Sequence, residues 1–312
     1  MDNLAISADV GGTNLRLALV NEDGQILHRE EVPTPDVAAG VPALLDTVRC
    51  LYFKCEQEAT GDIVGFALAL PAVLDVGSGI IVESPNLPFL NGLEIVSELS
   101  KDISVPVVLE NDATAAAIGE AWLGSSAGSA SSVCLTLGTG VGGGLIIDSK
   151  PLRGIDGTAG ELGHVCLEPN GHPCGCGGRG CLEQYASATA IVRMASERGR
   201  GSAKELSAHE IYDLGCSGDE VAIEVFDSVG IYLGLAISGF INMLNPEVVV
   251  IGGGASGAWD LFAPRMLETI SRQAFNRPAK RAKIVRALLG DDAGLLGAAS
   301  LIFDARNHKL TI

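Results

Sequence analysis

SADVGGTNLRLALV, residues 7–20, is an apolar run, a glycine-threonine turn and a second apolar run, and LTLGTGVGGGLII, residues 135–147, repeats that form. Two extended runs joined by so short a turn read as a hairpin. Its recurrence half a chain later reads as an internal duplication. At Gly11 and Gly12 the missing side chains let backbone N–H groups approach phosphate oxygens, and Thr13 adds a hydroxyl donor. Gly138, Thr139 and Gly140 offer the same from the second copy. One such turn alone is commonly only a tight turn; two in matched settings point to a phosphate-gripping pair. Asp9 precedes the first, where a carboxylate either stabilises the turn or holds Mg²⁺ directly or through water. Each copy would open an α/β lobe, with the ligand in the cleft between the two.

Outward from these hairpins, residues 4–10, 15–21 and 25–32 read as three consecutive strands, the last two joined by the turn Glu22-Asp23-Gly24. A helix is expected over 37–58, a buried strand over 63–70, a short strand over 107–110 and a strong helix over 113–123. In the second half, residues 133–137 form a strand, GTGVGGG a turn, and extended structure resumes over 145–148. Helices then dominate residues 183–245, a buried strand at 248–251 ends in Gly252, Gly253 and Gly254, and a helix over 293–303 closes the chain. The loop 124–132, rich in Ser, Gly and Ala, suits a lobe boundary. The expected lobes are 1–112 with 295–312, and 113–294 carrying a metal loop at 161–183.

That loop reads ELGHVCLEPNGHPCGCGGRGCLE. Three closely spaced cysteines, Cys174, Cys176 and Cys181, with two histidines form a thiolate and imidazole cluster of tetrahedral zinc type. The spacing is too tight for a nucleic-acid-reading finger, so the ion is structural and pins a loop. His164 is the expected fourth ligand, with His172 its competitor. Glu161 and Glu183 at the two edges would be held in fixed positions, as recognition of a many-hydroxyl ligand requires.

Asp112 lies where a strand gives way to a helix, and helix N-capping accounts for an aspartate there. The same carboxylate suits a general base that takes a proton from a hydroxyl attacking a γ-phosphoryl group, since a loose transition state needs that proton removed late. Asn111 beside it suits a hydrogen bond to a polyol.

Composition bounds the alternatives. With 312 residues, 47% of them hydrophobic, a large core is available. A formal net charge of −17 disfavours a nucleic-acid partner, because phosphate-backbone binding is driven by clustered Lys and Arg. The most apolar stretch, 229–244, is shorter than a bilayer requires and is interrupted by glycines, so a buried helix and no membrane are expected. The first residues lack the charged and apolar regions of a signal peptide, which makes cytoplasm the expected location.

DVGGTN at 9–14, SPNLP at 84–88, ENDATAAAIGE at 110–120, LGTGVGGG at 137–144, GIDGTAGELGH at 154–164 and CGCGGRGCLE at 174–183 together resemble the ROK sugar kinases, bacterial glucokinases above all. The resemblance implies an actin-like, hexokinase/ribonuclease H-like ATPase fold of two lobes, and phosphorylation of a hexose 6-hydroxyl by ATP with Mg²⁺. It puts Asp112 at the catalytic base. Asn86, Asn111, Glu161, His164 and Glu183 fall at sugar-contacting positions, His164 doubling as a Zn²⁺ ligand with Cys174, Cys176 and Cys181. Asp9, Gly11, Gly12, Thr13, Asn14, Gly138, Thr139 and Gly140 fall at the nucleotide phosphates, and Gly252 to Gly254 near adenosine. Glucose is the expected hexose, with fructose, mannose or an N-acetylhexosamine as alternatives, and polyphosphate a disfavoured donor. The family's sugar-sensing repressors carry a helix-turn-helix ahead of this region, for which the early first strand leaves no room. A homodimer or homotetramer is expected by the same resemblance.

Overall fold

The computed structural model describes residues 2–199 and 206–308, which form two compact units. Unit 1 comprises residues 1–127, 151–159 and 291–312; unit 2 comprises 128–150 and 160–290.

Unit 1 is built on a five-stranded sheet from β1 (Asn3–Val10), β2 (Asn14–Asn21), β3 (Ile26–Pro33), β4 (Asp62–Leu70) and β7 (Val107–Asn111), in the order β3-β2-β1-β4-β7. β1 and β2 pair antiparallel, as do β2 and β3, while β1–β4 and β4–β7 are parallel. Leu4, Ile6, Ala8, Leu15, Leu17, Leu19, Phe66, Leu68 and Leu109 are buried in one apolar cluster. Helix α1 (Gly40–Gln57) adds Leu44, Val48, Leu51 and Tyr52, three or four residues apart and so on one face. The hairpin β5 (Val73–Asp75) and β6 (Ile80–Glu83) and the short α2 (Ile95–Leu99) complete this side. Helices α3 (Asp112–Trp122) and α10 (Ala293–His308) cross in backbone contact: a Cβ on Gly119 would overlap the carbonyl of Ala293, and one on Gly297 that of Ala115. Only glycine permits that approach.

Unit 2 has β8 (Ser132–Leu137), β9 (Val141–Ile147), β10 (Lys150–Pro151), β11 (Val248–Gly252) and β12 (Lys283–Arg286), in the order β10-β9-β8-β11-β12. β8 and β9 are antiparallel, and β8–β11 and β11–β12 parallel. Strand order and directions therefore repeat those of the first sheet, the structural form of the duplication read from 7–20 and 135–147. The tight turn ahead of β10 uses Asp148 and Ser149 at φ 51° and 61°, a pair of left-handed residues that matches hairpin twist. Around this sheet lie α4 (Glu183–Ala186), α5 (Ala188–Glu197), α6 (Ala208–Cys216), α7 (Glu220–Leu244), α8 (Trp259–Gln273) and α9 (Asn276–Arg281). Among the described residues α7 alone is long and apolar enough to cross a membrane, yet it is a core helix. Val225, Phe226, Val229, Leu233, Ile237 and Phe240 are buried, and Gly230 and Gly234 admit the α8 backbone and Thr269.

Three expectations need adjustment. GTGVGGG is not all turn: β9 begins at Val141, and its glycines are strand residues because a Cβ on Gly143 would overlap Gly160 O and Leu162. The closing helix runs past 303 to His308. The division at 112 and 113 also shifts, since 113–127, 151–159 and 291–294 group with unit 1, where α3 packs on α10. Residues 200–205 of the expected helical stretch and 309–312 of the first lobe lie outside the described residues.

Candidate active site

In unit 1, the turn between β1 and β2 is closed by its own backbone. Gly11 N–H donates to Asn14 O at 2.9 Å, Thr34 N–H to Thr13 O at 2.8 Å, and Thr34 Oγ1 to Gly11 O at 2.7 Å. A Cβ on Gly12 would meet no heavy atom within 4 Å, so that backbone is open to a ligand. Asp9, near the end of β1, sets its carboxyl over the first turn of α10, where a Cβ on Gly294 would lie 3.4 to 3.6 Å from its atoms. Burial pushes the Asp9 carboxyl up from an ordinary 3.8 to about 6; the charges of Asp112 and Asp291 add to this, and Arg16 opposes them. A cation beside Asp9 would relieve that pressure, so the donor chemistry fits a hard divalent ion.

β7 delivers Glu110 and Asn111, and α3 starts at Asp112. Asn111 is the helix N-cap, its Oδ1 accepting from Thr114 N–H at 3.0 Å while its Nδ2 donates to Ala72 O at 3.3 Å. Asp112 Oδ1 accepts from Ala113 N–H at 2.8 Å. The capping role that the sequence offers for Asp112 thus falls to Asn111. Asn86 is exposed on a loop organised by Ser84, whose Oγ donates to Pro71 O at 2.9 Å and accepts from Leu87 N–H at 3.2 Å. Pro71 and Ala72 follow β4, so the loop of Asn86 and the side chain of Asn111 are tied to successive carbonyls.

Glu110 was not singled out by sequence. Its side chain is 4% exposed and forms an ion pair with Arg153, whose Nε donates to Oε2 at 2.9 Å and whose Nη2 reaches the same oxygen. Oε1 accepts the N–H of Asn111 at 3.0 Å. Burial raises the Glu110 carboxyl, and Arg153 pulls it back. The sequence carries only half of the signal: a charge ending the apolar run VVLE calls for a cationic partner, and nothing local names Arg153.

In unit 2, Gly138 N–H donates to Gly140 O at 2.9 Å, and α5 braces the turn through Ala188 N–H to Gly138 O and Thr189 Oγ1 to Thr139 O, both 2.8 Å. A Cβ on Gly138 would again meet nothing within 4 Å. Gly253, at φ 80°, lies against the Leu137 backbone, placing Gly252 and the start of the short 3₁₀ turn Gly254–Ala258 beside this loop. Glu183 joins two features: its Oε2 accepts from Val141 N–H at 3.1 Å, and its Oε1 lies 3.7 Å from Cys174 Sγ.

The ligand atoms of His164, Cys174, Cys176 and Cys181 all lie within 4.8 Å of one another. Cys176 Sγ is 3.6 Å from Cys181 Sγ, and His164 Nδ1 is 3.5 Å from Cys174 Sγ. Two sulfurs each about 2.3 Å from a tetrahedral centre stand about 3.8 Å apart, so the donor set fits zinc. His164 Nε2 and Glu161 Oε2 stand 3.8 Å apart, beyond hydrogen-bond distance. His172 is not in the cluster; its ring lies 5.9 Å from that of Tyr185. Burial and the neighbouring thiols push Cys181 up to about 12, whereas the Gly178 backbone lowers Cys176.

The ROK family profile matches residues 5–305, and the chain belongs to the ROK family. It is 37% identical to a glucokinase of Thermotoga maritima, over 95% of this chain and 96% of that one. It is 34% identical to a glucokinase of Halalkalibacterium halodurans, over 98% and 97% respectively. A ROK family glucokinase from Streptomyces griseus, solved in complex with glucose and AMPPNP, superposes with a TM-score of 0.82 at 31% identity, covering 96% of this chain and 98% of that chain. The fold is accordingly the actin-like ATPase fold of ROK kinases.

Proposed function

We propose that this protein is an ATP-dependent glucokinase that converts glucose to glucose 6-phosphate, with Asp112 as general base. The observation that carries the reading is the pairing of Asp9 and Asp112 in unit 1, one acidic group beside a glycine-threonine turn and one at a helix start, close enough for the charge of Asp112 to raise Asp9. The glucokinase relatives, alike over nearly the whole chain, support the same reaction.

In this reading Asn86, Asn111, Asp112, Glu161, His164 and Glu183 bind sugar hydroxyls. Each hydroxyl both donates and accepts, so carboxylates and amides can discriminate stereoisomers by leaving a wrong one with unpaired buried polar groups. Asp112 accepts the 6-hydroxyl proton as the oxygen attacks the γ-phosphorus, and the bond to the β,γ-bridging oxygen breaks, releasing ADP. The N–H groups of residues 11–14 and 138–140 bind the phosphates, and residues 252–254 border the adenosine. Asp9 would hold Mg²⁺ directly or through water, and the ion would supply charge neutralisation at the transferring phosphates. His164, Cys174, Cys176 and Cys181 hold a structural Zn²⁺, which contributes folding energy to its loop.

A coupled assay with ATP, Mg²⁺ and glucose, fructose, mannose and N-acetylglucosamine tests the reading, with polyphosphate replacing ATP in a parallel series. We expect glucose with ATP to give the highest kcat/KM, by about tenfold or more. Absence of turnover with every hexose would overturn it; a higher value for another sugar would reassign the substrate.

A further inference from the structure

We propose that Arg153 and Glu110 form a latch that positions the general base: Arg153 compensates the buried Glu110 carboxylate and thereby fixes the strand end that carries Asn111 and Asp112. The proposal deepens the kinase reading and rests on it for the role of Asp112.

Residues 151–159 belong to unit 1, although the chain on both sides lies in unit 2. The excursion closes on itself, Ala159 N–H donating to Arg153 O at 3.0 Å and Thr158 Oγ1 to Asp156 Oδ1 at 2.7 Å. Gly157, at φ 81°, lets it lie against the Leu74 carbonyl, where a Cβ would come within 2.7 Å. The Arg153 guanidinium anchors it to Glu110 by charge.

Glu110 divides its two oxygens between separate tasks. Oε2 takes both Arg153 donors, and Oε1 takes the backbone N–H of Asn111, one residue before the base. The register continues the constraint, since Glu110 pairs with Ala69 and Asn111 with Leu70 across the parallel ladder. Without Arg153, a side chain only 4% exposed would carry an uncompensated charge, and it would either protonate or turn toward water. Either response alters the acceptor that orients the Asn111 peptide, and an error of about 1 Å in a reacting group costs on the order of 100-fold in rate. Arg153 acts through Glu110, so it is a positioning residue.

The test compares wild type, Arg153→Met, Arg153→Lys and the double variant Glu110→Gln with Arg153→Met, all full-length. Steady-state kinetics should show kcat of Arg153→Met down roughly 10- to 100-fold with KM for ATP within about twofold. Arg153→Lys should recover part of the loss. The double variant should recover most of it, because the Glu110→Gln change keeps a side-chain carbonyl acceptor for Asn111 N–H and removes the buried charge. Hydrogen exchange on the same proteins reads the latch without turnover: residues 110–114 and 153–159 should exchange faster together in Arg153→Met, and 110–114 should return toward wild type in the double variant. Unchanged exchange at 110–114 in Arg153→Met overturns the proposal, as does a double variant no more active than Arg153→Met, which would mean Arg153 touches substrate directly. If wild type phosphorylates no hexose, the kinase reading fails, and the exchange data still decide whether Arg153 holds this strand end.

Discussion

The turns at residues 11–14 and 138–140 occupy the same place in two sheets of identical strand order, yet they are supported differently. The first is braced by its own backbone and by Thr34, and beside it stands Asp9, a carboxylate raised by burial and by Asp112. The second is braced by the start of α5 and by Glu183, which reaches back to the cysteine cluster. The two turns share a backbone form, and the residues around them give one a charged neighbourhood and the other a braced mount. The acidic side chains beside the first turn should therefore weigh most on kcat, and the residues that mount the second turn most on KM.

The sharpest way to break that division is Asp112→Asn. The amide keeps the size of the side chain and removes the base, so kcat should fall by roughly 10³ to 10⁴, the upper range for general-base loss. Glucose affinity by calorimetry should stay within a few-fold. A variant with turnover close to wild type would dissolve the contrast between the units.

Cys176→Ala tests the other side. In the proposed zinc site, loss of Cys176 should release the metal and free the loop bearing His164 and Glu183, and since Glu183 accepts from Val141 N–H, the effect should reach the 138–140 turn. KM for glucose and for ATP should both rise, by about 10- to 100-fold, the usual cost of losing an outer-sphere support. Metal analysis of wild type and variant, with hydrogen exchange at 138–141, checks this. Absence of zinc in wild type, or unchanged exchange in the variant, would detach the cluster from the turn.

Asp9 offers an effect of intermediate size on the stability of the metal-free protein. Its folded pKa of about 6 exceeds the ordinary 3.8, so the folded state binds this proton more tightly than the unfolded one. Below about pH 4 both states hold the proton and no penalty exists. As pH rises through 6 the folded protein loses at most about 3 kcal/mol, from a shift of roughly two pK units at about 1.4 kcal/mol each. Asp9→Asn should flatten denaturation midpoints between pH 4 and 7 and raise them above pH 6, while weakening the use of Mg²⁺ and ATP. Unaltered pH dependence would show that Asp9 is better solvated than its burial indicates.

Much of this was legible in the chain. Apolar runs bounded by turn residues or proline marked most strands of both sheets, and the spacing of Cys174, Cys176 and Cys181 marked the cluster. Three things were not. Strand glycines at 142–144 look like turn residues until the Gly160 and Leu162 atoms that exclude a Cβ are known. The exclusion of His172, left open as competitor to the expected His164, depends on which way the loop folds. The Arg153–Glu110 pair joins residues 43 apart through an excursion that returns to the other unit's fold, a long-range fact with no local signature.

The smallest effects come from alanine at the two clamps, and they separate ligand approach from packing. A Cβ at Gly12 or Gly138 meets nothing within 4 Å and neither residue has positive φ, so alanine there is tolerated by the fold and can add a few tenths of a kcal/mol by restricting the unfolded chain. Gly140 differs, because its Cβ would overlap Glu183 Oε2 and push that carboxylate off Val141 N–H. Gly138→Ala should keep or slightly raise Tm and increase KM for ATP alone. Gly140→Ala should lower Tm by a few degrees, the response to about 1 kcal/mol in a chain of this size, and raise KM for glucose as well. Melting curves and two-substrate kinetics on the pair resolve this, and equal behaviour of the two alanines would mean that Glu183 adjusts without cost and is no mount for the second turn.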